Sequence, residues 1–140
     1  MQLKHWFVAA TAILLAGNMA PAAQAQPRLM ERWERLGCAE VGRQPDLDVI
    51  HVGRREGRFR AIRLEVSGND VHINDLKVIY GNGEPDDIQV RANIREGTQT
   101  RPLDLRGRDR VINRIEIVSR RDQGGRGRGR AQICVSGLLG

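Results

Sequence analysis

Apolar residues recur at every second position through much of this chain, and that period limits what it can fold into. Ile88, Val90, Ala92 and Ile94 alternate with Gln89, Arg91, Asn93 and Arg95. Ile62, Leu64 and Val66 alternate with Arg63 and Glu65, and Ile115 and Ile117 with Arg114 and Glu116. Side chains of a strand point to opposite faces in turn, so each segment has one dry and one wet face, as in antiparallel sheets. Shorter strands are predicted over 36–41, 47–52, 76–80, 103–105 and 131–135. Turn chemistry separates them: Ser67-Gly68-Asn69-Asp70, Gly81-Asn82-Gly83, Glu96-Gly97-Thr98 and Arg106-Gly107-Arg108-Asp109. About eight short strands with no helices between them predict an all-β fold, an antiparallel β-sandwich of jelly-roll type or a barrel.

One short helix is expected, over 27–36, where Leu29, Trp33 and Leu36 fall at spacings of four and three before Gly37. An extended lead-in strand is the competing reading. Residues 63–80 also align without gaps on residues 102–119. Leu64, Gly68, Asp70, Ile73 and Asn74 are matched by Leu103, Gly107, Asp109, Ile112 and Asn113. Each copy reads strand, Gly-x-Asp turn, strand, so one hairpin is expected to be used twice, as in a jelly roll. The grammar common to all strand–turn–strand segments is the alternative source of the match.

The first 25 positions have the three parts of a secretory signal. Lys4 and His5 form a basic start, residues 6–17 an apolar run, and Ala23-Gln24-Ala25 a small-x-small site that predicts cleavage between Ala25 and Gln26. The run is too short to span a bilayer as a mature helix, although an uncleaved anchor is the competing reading. The expectation is an exported protein, periplasmic or secreted. Residues 26–36 would be its lead-in and 37–140 a single β-sandwich domain without a membrane span. Cys38 and Cys134 both lie in that part, and an even pair in an oxidising compartment predicts a disulfide rather than two buried thiols. The alternation puts both on wet faces, which points to a bridge between neighbouring first and last strands. Closing so long a loop stabilises by about 4 to 5 kcal/mol in the chain-entropy model.

Ser67, Ser119 and Ser136 are the serines after position 25, and none sits in a Gly-x-Ser-x-Gly elbow or a Ser-x-x-Lys pair. His51 and His72 lie in separate strands and read as strand residues rather than ligands of a metal needing three or four close donors. The turn Gly83-Glu84-Pro85-Asp86-Asp87, with Asp70 and Asp75, offers oxygens to calcium but lacks the regular loop spacing, so it reads as a solvated turn. Trp33, Phe59 and Tyr80 are the only aromatics after the signal, too few for a sugar-stacking cleft. No enzyme activity and no cofactor are expected.

Charge is the remaining signal. The whole chain carries a formal +6, nearly all of it arginine, with Lys77 the one lysine beyond the signal. Arg120, Arg121, Arg126, Arg128 and Arg130 crowd a glycine-rich segment between two predicted strands, and Arg106 and Arg108 could join them if both loops share one end. Guanidinium groups pair bidentately with carboxylates and phosphates. An exported protein meets little nucleic acid, so an anionic envelope lipid or acidic polysaccharide is the expected partner. A solvated flexible loop is the plainer account of the same arginines. A protein-interaction module using a sheet face or edge is the alternative function, and an enzyme without a recognisable motif the third.

The succession Trp33-x-x-Leu36-Gly37, Asp46-x-Asp48-x-Ile50, Gly57-Arg58-Phe59-x-Ala61-Ile62-x-Leu64, Gly81-Asn82-Gly83 and Ile94-x-x-Gly97-x-x-Thr100-Arg101 resembles the exported bacterial family catalogued as domain of unknown function 2541. The likeness covers about residues 33 to 137. It implies an exported β domain and carries over no reaction and no catalytic residue.

Overall fold

The structure, a computed structural model of the chain, describes Gly17 and residues 30–90, 92–122 and 129–140. Among them nine strands follow in order: β1 (Trp33–Val41), β2 (Asp46–His51), β3 (Arg58–Ser67), β4 (Val71–Tyr80), β5 (Pro85–Asp87), β6 (Asn93–Ile94), β7 (Leu103–Asp104), β8 (Arg110–Arg121) and β9 (Ala131–Leu139). A single 3₁₀ turn, Arg54–Glu56, precedes β3. The fold is all-β and antiparallel, as the alternation requires. The expected signal with its Ala25–Gln26 site, and Arg126 and Arg128, lie outside the described residues.

β3 shows how the alternation folds. Phe59, Ile62, Leu64 and Val66 are buried while Arg58, Arg60 and Ser67 are exposed. Phe59 pairs with Leu139 but Ala61 with Leu138, so Arg60 is an extra residue. That bulge brings Phe59 and Ile62, three apart in sequence, onto one face. The strands form two half-sheets: β1–β9–β3–β7, and β2–β8–β4 with β5 and β6 on the far edge of β4. Arg110 and Val111 of β8 pair with Phe59 and Arg58 of β3 and join the halves into one sheet. One apolar cluster draws on both, including Leu64, Val66, Ile133 and Val135 from one half and Ile73, Leu76, Ile115 and Ile117 from the other. A sandwich or jelly roll is compatible with this path.

The aligned segments 63–80 and 102–119 are not hairpins. β3 pairs with β9 and β7, β4 with β8, and neither β3–β4 nor β7–β8 forms a ladder. Each copy is instead an arch that leaves one half-sheet and enters the other. The two arches match in detail. Gly68 and Gly107 both turn at φ 81°, a left-handed conformation that favours glycine. Asn74 and Asn113 are both skipped in the β4–β8 register, so each is a bulge. The copies are offset by 39 residues, and Lys77 pairs with Glu116, its own equivalent. Leu76 with Ile117 and Val78 with Ile115 then exchange on swapping the copies. The ladder is its own two-fold mate.

Three further expectations are corrected. The helix over 27–36 gives way at its described end to β1, because Trp33, Glu34 and Arg35 pair with Leu138, Gly137 and Ser136 of β9. The strand over 88–95 is broken, although its alternation is the cleanest in the chain. It runs antiparallel to β4 and is paired at both ends, Lys77 with Asp87 and His72 with Asn93. Five steps along β4 correspond to six along this segment, so one residue must bulge out. The ladder lapses between Ile88, which donates to Leu76 O, and Ala92 O, which accepts from Ile73 N. Cys38 and Cys134 are bonded and pair across β1 and β9, tying first strand to last. Only Cys38 is exposed: Cys134 is buried, because β9 has strands on both sides.

Among the described residues no helix is long and apolar enough to cross a membrane. The arches give a paired test. A Cβ on Gly68 would sit 1.8 Å from Arg130 O, whereas on Gly107 it meets only the Arg110 Cδ at 3.8 Å. Gly107→Ala should cost about 1–2 kcal/mol from backbone strain alone, and Gly68→Ala roughly 3 kcal/mol or more once the clash is added. Denaturant midpoints measure both, and equal losses would contradict the arch geometry.

Candidate functional site

β8 separates the arginines singled out in the sequence. Arg106 and Arg108 lie before its first residue and Arg120 and Arg121 close it, roughly 36 Å away for a strand of this length. The two groups therefore occupy opposite ends of the domain and do not form one patch.

At the Arg106 end the guanidinium groups are already satisfied. Tyr80, fully buried at the end of β4, donates its hydroxyl to Asp86, and the Arg106 backbone N–H donates to Tyr80 Oη at 3.0 Å. Arg106 donates to Glu84 Oε1 at 2.9 Å and to Asp86 Oδ1 at 3.4 Å. Arg110 lies 3.8 Å from the centroid of the Tyr80 ring and donates to Glu84 Oε2 at 3.2 Å. Arg108 pairs with Asp104 at 3.4 Å, and Arg58 with Asp109 at 2.8 Å. The acidic turn Gly83-Glu84-Pro85-Asp86-Asp87 is thus an acceptor for arginines and a tyrosine, not an open set of oxygens.

Electrostatics follow from these contacts. Hydrogen bonds from Arg110, then Arg106 and Asn82, hold the Glu84 carboxyl below its usual range, and the bond to Glu84 raises Arg106. Burial, followed by the bond to Asp86, pushes the Tyr80 phenol up to about 12. Such a network fixes the 80–86 turn against the 104–110 turn and leaves little for a ligand to take.

The opposite end is different. Arg120 pairs across β8 and β4 with His72, and His72 across β4 and β6 with Asn93, so these three side chains share one face in a row. His72 Nδ1 bonds Asn93 Oδ1. The Arg120 guanidinium donates to the backbone oxygen of Arg121 at 3.3 Å, and among the described residues neither Arg120 nor Arg121 is in a salt bridge. Arg130 meets Glu40 at 3.6 Å with its side chain 86% exposed. The carboxylate of Asp70, in the neighbouring arch, accepts the Glu96 backbone N–H. His51 closes β2, exposed.

Sequence reasoning missed the Tyr80–Asp86–Arg106–Glu84–Arg110 network. Its signal was the lone tyrosine on a strand, whose hydroxyl needs a partner when buried. It also missed the Asn93–His72–Arg120 row, which depends on pairing between distant strands.

Fold and side chains together describe a small antiparallel β domain with one end internally neutralised and the other carrying half-buried Arg120 and Arg121 and exposed Arg130. The chain belongs to the family described as Domain of unknown function (DUF2541), whose model matches residues 8–137. No curated protein and no solved structure shows a match to it.

The single tyrosine makes the network measurable. Its raised pKa means that Tyr80 contributes stability in full below about pH 10, the ordinary value, and loses it as pH rises through about 12. Absorbance of the phenolate should titrate near 12, with far-UV circular dichroism falling over the same window, and Asp86→Asn should lower the midpoint. A midpoint near 10 in the folded protein would show the hydroxyl to be solvated.

Proposed function

We propose that this chain is an exported, non-enzymatic module that attaches to an anionic component of the cell envelope through arginines at the β8–β9 end. One observation carries the reading: Arg120, Arg121 and Arg130 belong to the segment 120–130, which holds five arginines and one acid, and the guanidinium groups of these three are exposed or half-buried with few carboxylate partners among the described residues. Exposed guanidinium groups bind carboxylates and phosphates by paired hydrogen bonds. Export is supported by the signal-like residues 1–25, and the Cys38–Cys134 disulfide suits an oxidising compartment.

A second reading, a protein-interaction module, has one specific support. Leu47 and Val49 on β2 are 53% and 42% exposed, and β2 pairs along one edge only, with β8. Such an edge can accept a partner strand.

Binding of the purified protein to anionic phospholipid vesicles and to polygalacturonate, at low and moderate salt, separates the two. The proposal predicts saturable binding to an anionic probe that weakens as salt screens it and falls about tenfold or more in Arg120→Gln/Arg121→Gln/Arg130→Gln. Binding equal in that variant, or to none of the anions, would remove the proposal. A salt-indifferent stoichiometric partner lost on Leu47→Glu would favour the second reading.

A further inference from the structure

The break in the 88–95 strand borders a groove. Residues 89–90 and 92–95 follow the edge of β4 in one half-sheet. Residues 98–103 follow the free edge of β3 in the other, where Thr100 N donates to Leu64 O and Gln99 bridges Glu65. Between these two limbs lies an open groove of about 500 Å³, floored by the core residues Val90, Ile94 and Leu103. That volume lies within the range of small-ligand sites.

The walls have one chemical character. Gln89, Asn93 and Gln99 present side-chain amides, Arg95 and Arg101 present guanidinium groups, and among the described residues no acid lines the space. Both arginines are exposed and neither has an ion pair or a side-chain hydrogen bond among the described residues. The walls are held before any ligand arrives. Thr98 Oγ1 donates to Arg95 O at 2.6 Å, and Thr100 Oγ1 accepts from Leu64 N at 3.0 Å. Asn93 Oδ1 is taken by His72 Nδ1, which leaves the Asn93 N–H groups to face a ligand.

We infer that this groove binds an acidic polysaccharide strand, with Gln89, Asn93 and Gln99 meeting ring hydroxyls and Arg95 and Arg101 meeting carboxylates. Planar amides both donate and accept, which suits vicinal hydroxyls, and guanidinium groups match carboxylates bidentately. A neutral sugar would call for an aromatic platform, and none is at hand. Phe59 and Tyr80 are fully buried and Trp33 lies beneath Arg63, 4.3 Å from its ring centroid. A membrane would call for apolar side chains at the rim. In the unit Glu31–Gly140 the exposed large ones are Leu47 and Val49, on β2 across β8 from this edge. The inference deepens the proposed function and rests on it for the anionic character of the ligand. Arg120, two strand spacings from Asn93 and so about 10 Å away, would meet a polymer too long for the groove.

Calorimetric titration of the purified protein with hexagalacturonate, and with neutral maltohexaose as control, tests it. The expected result is saturable binding of the acidic hexamer alone. It should weaken at least tenfold in Arg95→Gln/Arg101→Gln and severalfold in Gln89→Ala/Gln99→Ala. Gln89, Arg95, Gln99 and Arg101 are all exposed, and an unchanged melting temperature confirms that each variant is folded. Hexamer binding lost only in the Arg120 variant, equal binding of maltohexaose, or no hexamer binding beside retained binding to anionic vesicles would overturn the groove and leave the proposed function standing. Failure of every anionic probe would overturn both.

Discussion

Lys77 faces Glu116 at the centre of the β4–β8 ladder, and the rest of the domain is arranged around that pairing. β8 is the shared strand: β2 lies on one side of its length, β4 on the other, and its first residues reach β3. Ile112, Ile115 and Ile117 on it are fully buried and meet Leu76, Val78 and Tyr80 across the ladder. Burying a branched aliphatic chain of this size stabilises by about 1.5–3 kcal/mol, so this row is a large part of what holds the halves together. The bulges at Asn74 and Asn113, one on each side of the centre, keep these apolar residues inward while the strands twist. The disulfide acts elsewhere, fastening the edge strand β1 to β9.

A strand as long as β8 necessarily has two remote ends, and the sequence has given them opposite chemistry. At its start, Glu84, Asp86, Asp104 and Asp109 meet Arg106, Arg110, Arg108 and Arg58, so charge is spent on holding turns together. Most of these pairs are exposed, where a single ion pair contributes little, but the buried Tyr80–Asp86 bond couples the inner ones into a network. At its other end the arginines find few carboxylates. Beside them the broken 88–95 ladder replaces a strand edge with a groove lined by amides and guanidinium groups. Residues able to bind are therefore gathered where the sheet is least regular.

The pattern of residues revealed the class of fold because period two is imposed locally by the backbone, and strands such as β3 and β8 obey it. It also revealed the cysteine pair and the internal match between 63–80 and 102–119. Partnership was not legible. An arch and a hairpin have the same local sequence, strand and glycine turn and strand, and differ only in which distant strand each arm meets. Ile88 to Arg95 alternates perfectly yet fails as a strand, because the one-residue misfit arises from where Asp87 and Asn93 dock on β4. The same holds for the sites. Arg106 and Arg120 look alike in sequence, and only the length of β8 and the position of Glu84 and Asp86 distinguish a structural arginine from an available one.

Hydrogen exchange of backbone amides, with and without polygalacturonate, tests most directly the claim that one shared strand divides a closed end from a binding end. The account predicts that the central amides of β4 and β8 exchange slowest in both conditions. Addition of the polymer should slow exchange around 93–100 and 120–122 and leave 81–86 and 104–110 unchanged. Protection appearing at 81–86 and 104–110 instead would contradict the account, because the ion-paired end would then be the one that binds.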